Sequence, residues 1–437
     1  MFKRSFLQKM FFLLFVVFTA SALLTSCGGG IGGGGIGGGG GDNDKLAIVS
    51  MDGKVGCINQ KGQVVVPVIY DRIGIWSEGF ASAGSGEKLG FINVKGDQII
   101  PLTYDFDVDR GEMPFFREGL AAVSKNRKWG FVDITGAEVI PLNYHYVKPF
   151  SEGFAAVTGG GGWGFIDKTG KSAFWSKYER VSSFSEGLAA GRHKAYTKKL
   201  DSWNIIDTAG QELHTIHEYS RSYSFIGNFV DGLAPVLIGT NSFGYDDAFK
   251  FGFINTEGQE VIHATYDYFI DGDSEFCTHF SEGLVKVSRG KDYFSLKYGF
   301  VDKTGKVVVP LKYDWASDFN EGLATVSLNG KWGFVNQTGE EAISLMYDDV
   351  YQEGGIKSFA GFREGLAAVQ KDDKWGFIDR TGKTVIPFKY DVANNFYEGL
   401  AYTSDGFIDK TGNVVISNNL LKDYTYVDNF VNVKTGK

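Results

Sequence analysis

Little in this chain could staple, ligate or span. It holds three cysteines and six histidines in 437 residues. Cys27, Cys57 and Cys277 are too few and too scattered for a disulfide framework of the kind that supports small secreted domains. His214 and His217 are the nearest histidine pair, and on a strand positions three apart face opposite sides, so no shared metal and no cofactor is expected. Basic residues are also outnumbered, 44 Lys and Arg against 52 Asp and Glu, for a formal charge of −8. A nucleic-acid surface needs a basic stripe, so that class of partner is excluded. The longest apolar run, Phe11 to Leu24, is fourteen residues, short of the roughly 20 that a spanning helix needs. No serine triad and no phosphate-binding glycine loop is present.

The apolar run follows Lys3, Arg4 and Lys9, the pattern of an export signal covering residues 1–26. It ends Leu24-Thr25-Ser26-Cys27, which resembles the lipobox of bacterial lipoproteins. The resemblance implies that Cys27 becomes the acylated first residue of the mature chain and anchors it to a membrane. The implied location is the bacterial cell envelope, at the outer membrane. Gly28 to Gly41 then holds twelve glycines broken only by Ile31 and Ile36. Such a chain stays a flexible coil with a mean span of roughly 20 Å, so residues 27–45 read as anchor and tether. Removing residues 1–26, which carry three basic residues and no acid, leaves a charge of −11.

From Leu46 to the C-terminus one sentence is written ten times, a pattern that decides the architecture before any local reading. Its clearest copy is Lys374-Trp375-Gly376-Phe377-Ile378-Asp379-Arg380-Thr381-Gly382. The first glycine recurs at Gly56, Gly90, Gly130, Gly164, Gly252, Gly299, Gly333, Gly376 and Gly406, with Asn204 in its place in copy five. The second follows six residues later in all ten copies, from Gly62 to Gly412. Trp375 and Phe377 alternate with Gly376 and Ile378, the period of a strand with both rings on one face. Asp379 opens a turn whose backbone it can bond, and Gly382 supplies the left-handed residue that leads into a return strand. Pro67, Pro101, Pro141, Pro310 and Pro387 are expected to end that strand. A second signature, Glu-Gly-Leu-Ala, precedes most hairpins, as at Glu118-Gly119, and begins a short apolar strand. Three antiparallel strands per copy are expected.

The phrase Lys-Trp-Gly-Phe-Ile-Asp-x-Thr-Gly-Lys resembles the bacterial WG-repeat family, and the likeness extends over residues 46–437. It implies an all-β array of about ten tandem antiparallel meanders. Copy spacing and strand count favour an open curved stack, with a closed β-propeller-like toroid as the alternative. Cys57, Asn204 and Asp405 depart from the pattern in copies one, five and ten.

Copies five, six and seven are lengthened between the Glu-Gly glycine and the hairpin glycine. Insertions that recur on one face of a stack often carry binding. The candidate binding residues are therefore Tyr196, Lys198 and Lys199; Phe243, Tyr245, Asp246 and Asp247; and Lys291, Asp292 and Tyr293. Asp105, Asp107 and Asp109 alternate, as do Asp271, Asp273 and Glu275, but neither set has the glycine and closing glutamate of a calcium loop. The ten turn positions, each Asp or Asn, resemble a protease Asp-Thr-Gly with one residue too many, and a turn cap explains them all. The expectation is a non-catalytic, lipid-anchored scaffold that binds a glycan, peptidoglycan or an envelope protein. An enzyme with a site between repeats and a plain structural spacer are the alternatives.

Overall fold

The computed structural model describes residues 45–107, 111, 113–193, 202–217, 223–239, 249–268, 279–291, 295–351 and 360–433. Apart from one four-residue helix, Asn418–Leu421, the regular structure of these residues is strand. Copy one supplies β1 (Lys45–Met51), β2 (Lys54–Asn59) and β3 (Val64–Tyr70). Copy two supplies β4 (Arg72–Ser77), β5 (Phe80–Ser85), β6 (Lys88–Asn93) and β7 (Gln98–Asp105). Pairing is antiparallel in the order β4-β5-β6-β7, and the same meander recurs along the chain. Two compact units emerge: one joins the residues up to Pro149 with those from Tyr390, the other is Phe150–Lys389.

The turn behaves as its residues dictate. Asp379 Oδ1 accepts from the Thr381 amide at 2.9 Å, the Thr381 hydroxyl at 2.6 Å and the Lys383 amide at 3.1 Å. Gly382 sits at φ 82°, where a side chain would cost about 1–2 kcal/mol. The first glycine of the hairpin has another cause. A Cβ on Gly90 would lie 2.2 Å from the carbonyl oxygen of Ile100, because the return strand folds directly across it.

Two expectations are corrected. The prolines do not end the return strands; Pro67 lies inside β3 and Pro101 inside β7. Both strands are sheet edges, where a missing N–H costs no ladder bond. They cross their partners with a register shift, between Val55↔Tyr70 and Cys57↔Val66 in copy one. The expected three strands are four in several copies, because the connector before Glu-Gly also pairs, as β4 does with β5. An aspartate holds it: the Asp71 amide donates to Gly84 O at 2.8 Å.

Both faces of the copy-one sheet are covered. Leu46, Val55, Cys57 and Val66 of copy one pack with Ile73, Trp76, Ala81 and Ile92 of copy two. The opposite face of copy one, Ala47, Val49 and Ile58, packs on Leu400, Phe407 and Ile416 of copy ten. A ring contact marks several junctions: Phe91 with Phe116 at 4.8 Å, Phe165 with Phe184 at 4.8 Å, Phe253 with Phe280 at 4.9 Å and Phe300 with Phe319 at 4.7 Å.

Copy one lacks its own connector, and the C-terminal tail provides it. Val431–Asn432 and Tyr426–Val427 both pair with β1. The Asp428 amide donates to Ile48 O at 2.8 Å, and the Thr425 amide to Ser50 O at 2.7 Å. Phe430 meets Phe407 at 4.8 Å, the spacing of the internal junctions.

Candidate functional site

The repeat has two rims, and in several copies an acid on each rim reaches the next copy. At the turn rim the Glu of Glu-Gly adopts a left-handed backbone, φ 54° at Glu78. This aims its carboxylate at the following copy: Glu78 accepts from the amides of Glu118 at 2.7 Å and Gly119 at 2.9 Å. Glu152 does so to Glu186 and Gly187, and Glu186 to Asp231 and Gly232. Copy one has no Glu-Gly, and there Lys45 meets Glu398 of copy ten at 3.1 Å. The repeated glutamates are thus inter-repeat clasps, a role that the strand-opening expectation missed.

At the hairpin rim the lysine before Trp-Gly pairs with an aspartate seventeen residues on. Lys54 reaches Asp71 at 2.5 Å, Lys88 reaches Asp105 at 2.5 Å and Lys331 reaches Asp348 at 2.6 Å; Lys250–Asp267 and Lys297–Asp314 repeat the pair. The second carboxylate oxygen accepts a hairpin amide of the next copy, Asp71 from Gly86 at 2.6 Å and Asp105 from Asn126 at 2.6 Å. The Lys54, Lys297 and Lys331 ammonium groups hold the carboxyls of Asp71, Asp314 and Asp348 below the usual range. Asp105 is therefore an ion-pair acid rather than part of a calcium loop; Asp109, Asp271, Asp273 and Glu275 lie outside the described residues. The constant spacing was the signal that could have found these pairs.

The ordinary hairpin tip is a tight turn with two left-handed residues, such as Asn126 and Arg127 at φ 53° and 60°, the type I′ geometry. Copies five to seven replace it at this same position. Their flanking strands are Leu188–His193 and Ser202–Asp207, Leu233–Ile238 and Phe249–Asn255, and Leu284–Arg289 and Lys297–Asp302. All three insertions therefore leave from the hairpin rim. Lys291 is exposed, and its amide donates to Ser295 Oγ at 3.0 Å. Tyr196, Lys198, Lys199, Phe243, Tyr245, Asp246, Asp247, Asp292 and Tyr293 lie outside the described residues, as do Cys27 and Cys277. Cys57 is buried and unbridged, and burial raises its thiol well above the ordinary range.

Copy five also departs internally. Strand Ser172–Val181 pairs both with Gly162–Asp167 and with Leu188–His193, fusing copies four and five into one sheet. The return strand Glu212–His217 has no proline and runs in register past Asn204, which pairs with Thr215. That removes the crossing that demands glycine elsewhere. Tyr178 donates to Glu212 Oε1 at 2.8 Å, and burial followed by that carboxylate raises its phenol. His193 Nε2 lies 3.1 Å from the same oxygen and 2.9 Å from Asn204 Nδ2.

Elsewhere the surface offers shallow relief. A hollow of about 400 Å³ at the junction of copies ten and one is lined by Met51, Val64, Pro67, Val68, Leu420, Asp423 and Tyr424. Among the described residues no three His, Cys, Asp or Glu side chains gather to hold a metal ion.

Repeated antiparallel sheets docked face to face, each with a Trp-Gly or equivalent hairpin, define a tandem β-repeat protein. The chain belongs to the WG containing repeat family, which matches residues 56–88, 90–129, 129–161, 163–190, 251–293, 298–332, 332–354, 356–375 and 375–403. Copy five's Trp203-Asn204 hairpin falls between matches. A search of curated protein sequences finds no match. Among solved structures, "Crystal structure of the eukaryotic initiation factor" is similar with a TM-score of 0.50 at 9% identity, covering 85% of this chain and 99% of that one. "Crystal structure of Citrobacter koseri AztD" matches with a TM-score of 0.30 at 11% identity, covering 78% and 93%. The first is a likeness of fold alone.

Proposed function

We propose that this protein is a non-catalytic scaffold of the bacterial cell envelope, held at the outer membrane by acylated Cys27 and binding a glycan, peptidoglycan or envelope protein. The observation that carries the reading is the coincidence of three insertions. Three consecutive copies lengthen the same hairpin, while the strands on either side keep the geometry of the other copies. A spacer has no need to elaborate one rim at one place. The lipobox-like Leu24-Thr25-Ser26-Cys27 and the glycine tether support an anchored display of that rim.

The test replaces residues 194–201, 240–248 and 290–296 by Asn-Gly turns and measures binding to peptidoglycan sacculi, envelope glycans and envelope protein extract. Loss of a saturable interaction with an unchanged thermal transition is expected. Undiminished binding contradicts the assignment to these hairpins. Separately, Cys27→Ser is expected to abolish metabolic palmitate labelling.

A further inference from the structure

The glutamate that opens a return strand commonly takes a tyrosine hydroxyl, from the preceding return strand or from the connector. Tyr178 donates to Glu212 at 2.8 Å, Tyr223 to Glu260 at 2.6 Å and Tyr313 to Glu341 at 3.3 Å. That pair belongs to the architecture. Glu260 also meets the exposed His263 at 2.9 Å and Glu341 meets Lys312 at 3.2 Å; copy five differs in adding a partly buried imidazole backed by a buried amide. The position of His193 holds Met51, Ser85, Lys125, Gly159, Ile238, Arg289, Leu328 or Lys371 in other copies, and the position of Asn204 holds glycine in the other nine. Two departures, eleven residues apart in sequence, meet each other: Asn204 Nδ2 lies against His193 Nε2, which lies against Glu212 Oε1.

Their hydrogen bonding does not close. His193 Nε2 is within bonding distance of both Glu212 Oε1 and Asn204 Nδ2. An unprotonated Nε2 can accept from the amide but then faces a carboxylate lone pair; a protonated Nε2 satisfies the carboxylate but then faces an N–H group. Asn204 is 2% exposed, and its Oδ1 has no hydrogen-bond partner. Amide oxygen and nitrogen are assigned rather than seen. With the amide turned over and Nε2 unprotonated, Oδ1 and Oε1 are acceptors on either side of a third acceptor, Nε2.

We infer that His193, Glu212 and Asn204 form a site for a divalent first-row transition cation. Imidazole, carboxylate and amide oxygen suit such an ion. Bonds of about 2.0–2.1 Å place tetrahedral ligands about 3.3 Å apart, close to the 2.9 and 3.1 Å separations on the page. The Tyr178 hydroxyl orients the carboxylate from the second layer, as outer partners of metal ligands do. The side chains of His193 and Glu212 are 30% and 25% exposed, which leaves a path from solvent and a fourth coordination position. The competing occupant is a proton on His193. The inference stands independently of the envelope reading.

The test titrates the metal-stripped full-length protein with ZnCl₂ and MnCl₂ by calorimetry and follows its thermal transition. One saturable equivalent is expected for the wild type, at least tenfold weaker in His193→Ala and in Asn204→Gly, which restores the residue of the other copies. His214→Ala, on the return strand, is expected to bind as the wild type does. A folded wild type with no saturable equivalent, or binding that His193→Ala and Asn204→Gly leave unchanged, overturns the site.

Discussion

The carboxylate of Glu78 caps the backbone of Glu118, forty residues on, by accepting the amides of Glu118 and Gly119 at 2.7 and 2.9 Å. The side chain of one copy thereby satisfies the tight turn of the next. Glu78→Ala leaves two amides to water, and a bond to a charged acceptor contributes about 1.5–3 kcal/mol when well shielded. This one is exposed, so a loss of about 1 kcal/mol is expected by urea denaturation. Glu78→Gln keeps one acceptor and is expected to fall between. A Glu78→Ala variant as stable as the wild type contradicts the clasp.

Glycines of two kinds should respond differently. Gly130 faces the Ile140 carbonyl, 2.4 Å from where a Cβ would stand, so Gly130→Ala forces strands apart at a cost of about 1–3 kcal/mol. Gly153 has open space but φ 82°, so Gly153→Ala costs about 1–2 kcal/mol through backbone strain alone. Asn204→Gly, in a strand without the crossing, is expected to fold with little change in thermal midpoint. Comparison of the three midpoints by calorimetry checks the ordering.

Acid should loosen the hairpin rim. Asp71, Asp314 and Asp348 are held below the usual carboxylate range, first by bonds to Lys54, Lys297 and Lys331. A depressed folded value contributes stability that is complete above the unfolded value, about 3.9, and is lost as pH falls through the folded one. The thermal midpoint is therefore expected to stay level from pH 7 to about 5 and to fall below about pH 4. Asp71→Asn combined with Asp314→Asn should lower the plateau and shallow that fall. An unchanged acid slope in the double variant contradicts the pairs.

Much of this was legible because it is local. Asp379, Thr381 and Gly382 sit within one turn, and the alternation around Phe377 reports a strand whichever neighbour it meets. The return strands were cut short at proline because edge and central strands cannot be told apart from one segment. The connector strands escaped notice because a two-residue pairing such as Phe116–Arg117 has no period to detect. The target of Glu186, Asp231, lies forty-five residues away across an insertion, and no fixed spacing points to it. The candidate site was legible only as length variation in copies five to seven. The meeting of His193 with both Asn204 and Glu212 requires knowing the register.

The central claim is that copy one is completed by the other end of the chain, docked as internal copies dock. Phe430 is fully buried and lies 4.8 Å from Phe407, as Phe116 lies 4.8 Å from Phe91. The direct measurement is the stability of Phe430→Ala beside Phe116→Ala by equilibrium denaturation. Each is expected to cost about 3–5 kcal/mol, with the two losses alike. A Phe430→Ala variant of wild-type stability, beside a Phe116→Ala variant that is destabilised, contradicts the claim.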